Sequence, residues 1–268
     1  MTAKVTRKLG ERFTRLLAAG EEEPAIVANS GSRSPYLIVC DHAGRAVPKA
    51  LGSLGLPPEA FERHIAWDIG AGALSLMMGE ALGACVIRQT YSRLVIDCNR
   101  APDRADAIVE VSDGTRVPAN VALDPAEAAA RVAEIHAPYH RRIAEELDLR
   151  AATGTPTLLV AIHSFTPEMN GLARRWHLGV LHLGESALSR AMLSGLAQEA
   201  GGWVIGDNEP YAMDGIDYTI PVHAQERGLD YLELEIRQDL IAEPSGQAKI
   251  ADLLQRRLVA AAQSLGLG

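Results

Sequence analysis

Two histidines, His42 and His163, come at the ends of apolar segments of the chain, "YLIVCD" and "LLVAI". Either histidine alone would more often be hydrogen-bonded than bound to a metal. A catalytic zinc, however, needs about three histidine or carboxylate ligands and an open position for water, so the pair favours a metal site. Asp68, in "HIAWDIGAG", and the nearby His64 are candidates for the third ligand. Because Asp68 precedes a predicted helix, capping of that helix is the alternative interpretation.

A third apolar segment ends in an amide and a guanidinium. "RLVIDCNRAP", residues 93–102, is predicted to be a buried strand that ends in Asp97, Asn99 and Arg100. In open α/β folds, ligands bind where the strands end. The planar guanidinium of Arg100 would suit a carboxylate ligand, or it would pair with Asp97 to close a loop.

Acidic residues also alternate with apolar ones in "YLELEIR". Alternation places Glu233, Glu235 and Arg237 on one face of the predicted strand. Such a face is usually solvated. The alternative is that one glutamate points into a site as a general base and takes a proton from a metal-bound water.

Two hydrolytic mechanisms are excluded by missing motifs. The chain has no "HExxH", which excludes a helix-borne metalloprotease site. It also has no "GxSxG". Ser164 and His163 are neighbours on a predicted strand and so face opposite ways, which excludes a Ser-His pair.

Predicted strands and helices alternate along the chain, which is typical of a three-layer α/β/α domain with a mainly parallel sheet. The clearest helices cover "GAGALSLMMGEALG", residues 124–151 and a last segment ending near Leu265. Residues 101–118 are predicted to be a loop. We expect one domain over residues 1–268, in which 1–35 form an N-terminal helix and linker and 36–268 form the core.

The composition narrows the class of protein further. The chain has 268 residues, 47% of them hydrophobic and 22% charged, with a formal net charge of −8. This charge argues against nucleic-acid and anionic-membrane partners but allows a small acidic substrate in a local basic pocket. The cysteines, three in number, lie in apolar segments, and no signal peptide or membrane span is apparent, so we expect a cytoplasmic protein with reduced thiols.

Seven segments, spread in order from about residue 36 to residue 242, resemble the N-formylglutamate amidohydrolase family. They are "DHAGRAVP", "WDIGAGAL", "YSRLVIDCNRAP", "APYHRRI", "AIHSFTPEMNGLARRWHLGVL", "DNEPYAMDG" and "LELEIRQDLI". The resemblance implies a zinc-dependent hydrolase that converts N-formyl-L-glutamate to formate and glutamate, a step of histidine breakdown. It also implies a mixed, mainly parallel sheet in a phosphorylase/hydrolase-like fold similar to that of zinc carboxypeptidases and aspartoacylases.

The resemblance implies roles for particular residues. His42 and His163 match the family's metal-binding histidines and would hold one zinc per chain. The "HxxE" of carboxypeptidases is absent because Arg45 stands three positions after His42. This leaves Asp68 as the expected third ligand, with His64 as the alternative.

The remaining roles concern the substrate, a small acidic N-acyl amino acid. Glu235 matches the expected general base, and Arg93 would polarise the scissile carbonyl. Asn99 and Arg100 match the carboxylate clamp, and either Arg174 or Arg175 would bind a second carboxylate. Two rivals stay open: a related zinc amidase acting on another N-acyl amino acid or small peptide, and a non-catalytic binder of acidic metabolites.

Overall fold

The computed structural model describes residues 15–169, 171–184, 186–199 and 201–267. The helical part of the predicted N-terminal segment falls largely on residues 1–14, which lie outside the described residues. Within the described ranges, the strands are β1 Ala25–Ala28, β2 Tyr36–Cys40, β3 Cys85–Gln89, β4 Val111–Ser112, β5 Thr115–Arg116, β6 Leu158–Phe165, β7 Glu168–Met169, β8 Leu172–Ala173, β9 Leu178–Leu181, β10 Ile205–Asp207 and β11 Asp230–Arg237.

Seven of these strands form one mixed, mainly parallel sheet in the order β1-β3-β2-β6-β11-β9-β10. Pairing is parallel for β3–β2, β2–β6, β6–β11 and β9–β10, and antiparallel for β1–β3 and β11–β9. The predicted fold class is therefore confirmed. Because β2, β6 and β11 are parallel neighbours, their carboxyl ends meet at one edge of the sheet.

Helices cover both faces of the sheet. They are α1 Ala71–Leu82, α2 Pro125–Arg131, α3 Ala137–Ala152, α4 Ala187–Ala197, α5 Thr219–His223 and α6 Pro244–Ser264, with a π-helical stretch, Val132–His136, between α2 and α3. Alternation along β2 sends Leu37 and Val39 into the core under α3, and Ile38 and Cys40 into the core under α1 and α6.

Residues 93–102 form turns, so the prediction of a strand there is wrong. The backbone leaves the sheet after β3, and its amides donate to turn and loop carbonyls and to side chains instead of to a neighbouring strand. Ser92 Oγ accepts a bond from the Leu94 amide and donates to the Ala66 carbonyl. The apolar run from Leu94 to Ile96 is nevertheless fully buried. Burial, rather than pairing in a sheet, accounts for its composition.

Two other segments also differ from prediction. The segment predicted as a linker contains β1, which pairs with β3 in antiparallel register at the sheet edge. The predicted loop 101–118 contains the short hairpin of β4 and β5. The strands β1, β4 and β5 are short and lack the long apolar runs on which sequence prediction depends.

The helix predicted over residues 124–151 is present, with a local change of geometry. Asp124 caps it by accepting a hydrogen bond from the Ala126 amide, and Pro125 occupies the first helical position. The π-helical stretch interrupts the α-helical pattern after Arg131. All three cysteines are buried and unpaired. In the part of the chain that is described, no helix combines the length and apolar character needed to cross a bilayer.

Candidate active site

A cavity of about 360 Å³ opens where the carboxyl ends of β2, β6 and β11 meet. Most of the predicted site residues line it: His42, His64, Asp68, Arg93, Asn99, Arg100, His163 and Glu235. Its wall also includes Glu233 and residues that the sequence did not single out, among them Tyr211 and Asp217.

His42, Asp68 and His163 form a buried group that could hold a metal ion, here called the His–Asp–His cluster. The Nδ1 atoms of His42 and His163 are 3.2 Å apart, and Asp68 Oδ2 lies 3.4 and 3.1 Å from them. Asp68 does not cap α1, whose N-cap residue is Gly70. Its Oδ2 instead accepts a hydrogen bond from the Ser164 amide, which places the carboxylate beside β6.

Two further carboxylates, those of Asp97 and Asp41, face the Nε2 atoms of the two histidines. His42 Nε2 donates to Asp97 Oδ1 at 2.7 Å, and His163 Nε2 lies 3.3 Å from Asp41 Oδ2. Because a carboxylate can only accept, these contacts favour the proton on Nε2 in each neutral ring. The Nδ1 lone pairs are then left to converge with Asp68 Oδ2, an arrangement that suits a cation.

The electrostatic surroundings of the two histidines of the cluster differ. Burial opposes protonation of His163, but its contact with Asp41 and the charges of Glu233 and Asp41 outweigh burial and raise its pKa to about 10. Burial lowers the pKa of His42 to about 4, with the charge of Arg93 acting in the same direction. A bound metal cation would supply the positive charge that the surrounding carboxylates favour.

His64, the alternative ligand, lies at the margin of the cluster. Its Nδ1 is 3.5 Å from Asp68 Oδ1, the oxygen that does not face the histidines. Burial lowers the pKa of His64 well below its usual value, and the charge of Arg93 adds to this. The structure therefore places Asp68 among the converging atoms and His64 beside them.

Glu233 and Glu235 are both buried, so the solvated-face interpretation of "YLELEIR" is wrong for these two residues. In the parallel register Glu235 lies opposite His163, next to the cluster. Burial raises the pKa of Glu235, and the charges of His163 and Arg93 oppose that rise without cancelling it. Arg237, at the strand end, is half-buried and pairs with Asp239.

Arg93 lies beside the cluster, where it forms an ion pair with Asp68 Oδ1. Asp68 thus offers one oxygen to the histidines and the other to Arg93. The Arg93 amide donates to the Ala66 carbonyl, which fixes the turn that carries this side chain. The guanidinium therefore faces the same cavity as Glu235.

Asn99 and Arg100 lie on the wall of the cavity in a clamp segment, residues 97–100. Asn99 Oδ1 accepts hydrogen bonds from the Tyr218 and Thr219 amides at the start of α5. Arg100 Nη1 lies 3.5 Å from Asp217 Oδ1. The alternative in which Arg100 pairs with Asp97 is not what the structure shows, because Asp97 pairs with His42.

Arg174 and Arg175 have different surroundings. Arg174 Nη1 donates to the Tyr211 hydroxyl at 2.8 Å, and its guanidinium lies over the Tyr211 ring. Tyr211 lines the cavity, whereas Arg174 lies behind Tyr211 and is not itself a lining residue. Arg175 is exposed and lies over Trp176 instead.

Comparison with known proteins identifies the family. The family model of N-formylglutamate amidohydrolase matches residues 34–242, which include every predicted site residue. The chain belongs to the N-formylglutamate amidohydrolase family. Membership makes hydrolysis its class of chemistry. None of the curated proteins compared with the chain matches it.

Two solved structures show how the N-formylglutamate amidohydrolase fold is shared. A gene product of Agrobacterium tumefaciens is 36% identical, with a TM-score of 0.90 over 94% of this chain and 100% of its own. The N-formylglutamate amidohydrolase of Ralstonia eutropha JMP134 is 18% identical, with a TM-score of 0.66 over 91% and 98% of the two chains. The second likeness supports the fold alone.

Some residues that build this N-formylglutamate amidohydrolase site were not assigned a part from the sequence. Asp41 and Asp97 face the histidines, and Asp217 faces Arg100. Asp41 directly precedes His42, so its position beside a predicted ligand was a usable signal. Asp217 has no such signal, because it comes from a segment without regular structure.

Proposed function

We propose that this chain is a zinc-dependent amidohydrolase that cleaves the formyl amide of N-formyl-L-glutamate. Water would add to the formyl carbon, the carbon–nitrogen bond would break, and formate and L-glutamate would leave. The observation that carries the proposal is the convergence of three metal-ligand atoms beside a buried glutamate and arginines in a single cavity.

The residues present suit a zinc ion. His42 and His163 would each supply Nδ1, and Asp68 would supply Oδ2, which is the nitrogen and oxygen donor set of catalytic zinc sites. A bound zinc would polarise the amide carbonyl and lower the pKa of water towards neutrality. Asp97 and Asp41 would hold the two imidazoles in the tautomer that leaves Nδ1 free.

Glu235 would act as the general base and then as the general acid. In the described residues its Oε2 is buried and has no hydrogen-bond partner, so it is available to a proton. The carboxylate would take a proton from the attacking water and return it to the leaving amine nitrogen. A carboxyl whose pKa is raised by burial suits this exchange, because its protonated and ionised forms are then closer in population near neutral pH.

Arg93 would donate to the carbonyl oxygen as negative charge develops there. Its ion pair with Asp68 keeps the guanidinium at the cluster, where the reacting carbon would lie. The other arginines would fix the substrate, Arg100 at one carboxylate and Arg174 at the second. Asn99 uses its amide oxygen on α5, and its NH₂ group, which donates to Asp217 Oδ1 in this structure, would turn to the substrate.

A second candidate is a zinc amidase for a longer N-acyl group. A cavity of about 270 Å³ adjoins the first and shares His64, Ile65, Asp113 and Met169 with it. Neither Asn99 nor Arg100 lines this second cavity. An acyl group directed away from the clamp segment would therefore have room beyond that needed by formyl.

The test is metal content and formate release measured on the same preparation. We expect about one zinc per chain in protein purified without added metal, and formate release from N-formyl-L-glutamate that is lost on chelation. His163→Ala should lose both zinc and activity. His182→Ala is the matched control, because His182 also pairs with an aspartate, Asp207, but lies outside the cavity.

Other outcomes would redirect the proposal. Zinc without formate release, together with hydrolysis of an N-acetyl or longer N-acyl amino acid, would favour the second candidate. A third outcome is that the protein binds glutamate, contains no zinc and hydrolyses no N-acyl substrate. That outcome would contradict both enzyme proposals and favour a binder of acidic metabolites.

A further inference from the structure

Three buried histidines lie behind the clamp segment, outside the His–Asp–His cluster. His136 ends the π-helical stretch, His140 lies in the first half of α3, and His223 is the last residue of α5. All three are at least nine-tenths buried. His140 belongs to "APYHRRI", a segment that the proposed chemistry does not use.

Two of these histidines bond to the backbone of the clamp segment. His140 Nε2 lies 2.8 Å from the Cys98 carbonyl oxygen, and His136 Nε2 lies 2.9 Å from the Arg100 carbonyl oxygen. A carbonyl oxygen can only accept, so Nε2 carries the proton in both rings. Nδ1 of His140, 2.9 Å from His223 Nε2, then accepts from that nitrogen. Each contact therefore fixes one tautomer.

The histidines are neutral at ordinary pH. Burial lowers the pKa of His140 to about 3 and that of His223 to about 4, and it also lowers the pKa of His136. Neutral rings keep single, directed donors, whereas a charged ring would lose the acceptor on Nδ1. The geometry of the bonds thus persists across the physiological range.

The two carbonyls flank Asn99 in the chain. Bonds to both fix the peptide plane before Asn99 and the peptide plane after Arg100, which bracket the two residues, and with them the directions of the Asn99 and Arg100 side chains. Asn99 Oδ1 also holds the start of α5, whose last residue is His223. The connections run from the clamp segment through α5 and His223 to His140 and back to the clamp segment.

His136 and His140 are four residues apart, so they lie on one face of the helix, and the π-helical stretch that ends at His136 affects how that face is turned relative to α2. An inserted residue rotates the following helix by about 100° relative to the preceding one. The rings of His136 and His140 lie 4.4 Å apart, and both nitrogens reach the same short segment. One face of the helix therefore supplies the donors for both carbonyls.

We propose that His136 and His140 are positioning residues that set the orientation of Asn99 and Arg100 for the carboxylate of the substrate. Neither histidine lines the cavity, and their hydrogen bonds go to Arg100, Cys98 and His223 rather than to the His–Asp–His cluster. The inference rests on the proposed function for the identity of that carboxylate. The claim that the histidines orient the clamp segment does not depend on the proposed function.

The experiment compares His140→Leu with His140→Gln. Leucine removes the donor to Cys98, whereas the glutamine amide can donate to Cys98 and accept from His223. In His140→Leu we expect KM for N-formyl-L-glutamate to rise about tenfold or more while kcat changes less than about threefold. In His140→Gln we expect KM to return most of the way to the wild-type value, and zinc content to match wild type in both variants.

A crystal structure of His140→Leu separates this inference from the proposed function. We expect residues 98–100 to shift and the His–Asp–His cluster to stay in place. If the wild-type chain releases no formate, the proposed function fails, and the shift of residues 98–100 alone decides the inference. Unmoved residues 98–100, an unchanged KM, or an equal loss of kcat and zinc would overturn it.

Discussion

The two sides of the cavity are built in different ways. His163 and Glu235 lie opposite each other in paired parallel strands, and His42 follows the end of a third. The clamp segment, residues 97–100, has no regular structure and depends on side chains that bond to its backbone. On the first side the backbone ladder places the chemical groups, and on the second side buried side chains place them.

This difference teaches where substitutions should act. A side chain on a strand can be exchanged without moving its neighbours, because the ladder keeps the backbone in register. A clamp held by a few side-chain bonds should move when one of those bonds is lost. Changes on the strand side should therefore affect kcat, and changes that release the clamp should affect KM.

The largest effect is expected on the strand side. Glu235→Gln should lower kcat about 10²- to 10⁴-fold, because the amide cannot exchange the proton, while KM and zinc content stay near wild type. Glu233→Gln is the matched control, since Glu233 lies on the same face of the same strand and is also buried. Steady-state kinetics and metal analysis measure both. A similar loss in the two variants would contradict the assignment of the base to Glu235.

A smaller effect tests whether the two sides are independent. Asp97 belongs to the clamp segment but holds His42, so Asp97→Asn should weaken zinc binding about 10- to 100-fold. Competition with a chelator of known affinity measures this. Asp207→Asn changes an aspartate with the same 2.7 Å contact to a histidine, but at an exposed site, and should leave zinc affinity unchanged. Equal affinity in all three proteins would show that Asp97 does not support the cluster.

A matched pair of arginines sharpens the account of substrate binding. Arg174→Ala should raise KM about tenfold or more, since a bond to a charged group contributes about 1.5–3 kcal/mol. Arg175→Ala should have little effect, because Arg175 is exposed over Trp176. If Arg175→Ala raised KM more than Arg174→Ala, the second carboxylate would lie elsewhere in the cavity.

The last prediction concerns the dependence of stability on pH and does not involve activity. An unfolded histidine titrates near pH 6.5, whereas the pKa of His140 in the fold is about 3. As pH falls between these values the unfolded chain binds the extra proton, so His140 reduces stability by about 1.4 kcal/mol per pH unit. His140→Gln should remove this contribution and flatten the dependence of unfolding free energy on pH over that window. Denaturant titrations at several pH values measure the slope, and an unchanged slope would mean that His140 titrates normally.

Regular segments of the fold were predictable from local patterns. The apolar runs of β2 and β6, the alternating pattern of β11 and the Asp-Pro start of α2 are strong local signals, and the structure contains all of these segments. The pattern at residues 93–102 failed, because an apolar run shows that residues are buried and does not show whether they pair in a sheet. The short strand β1 was not predicted, because its four residues are too few to show a recognisable apolar pattern.

The sequence alone determined the chemical groups and the strands that carry several of them. His42, His163 and Glu235 come at or near the ends of apolar strands, and parallel strands that end at one edge must bring such residues together. Tertiary structure decided which residues contact one another. Asp68, rather than His64, converges with the two histidines of the cluster. Asp97 bonds to His42, and His140 bonds to the carbonyl that precedes Asn99. These contacts join residues far apart in the chain through segments without periodicity, so no local pattern encodes them.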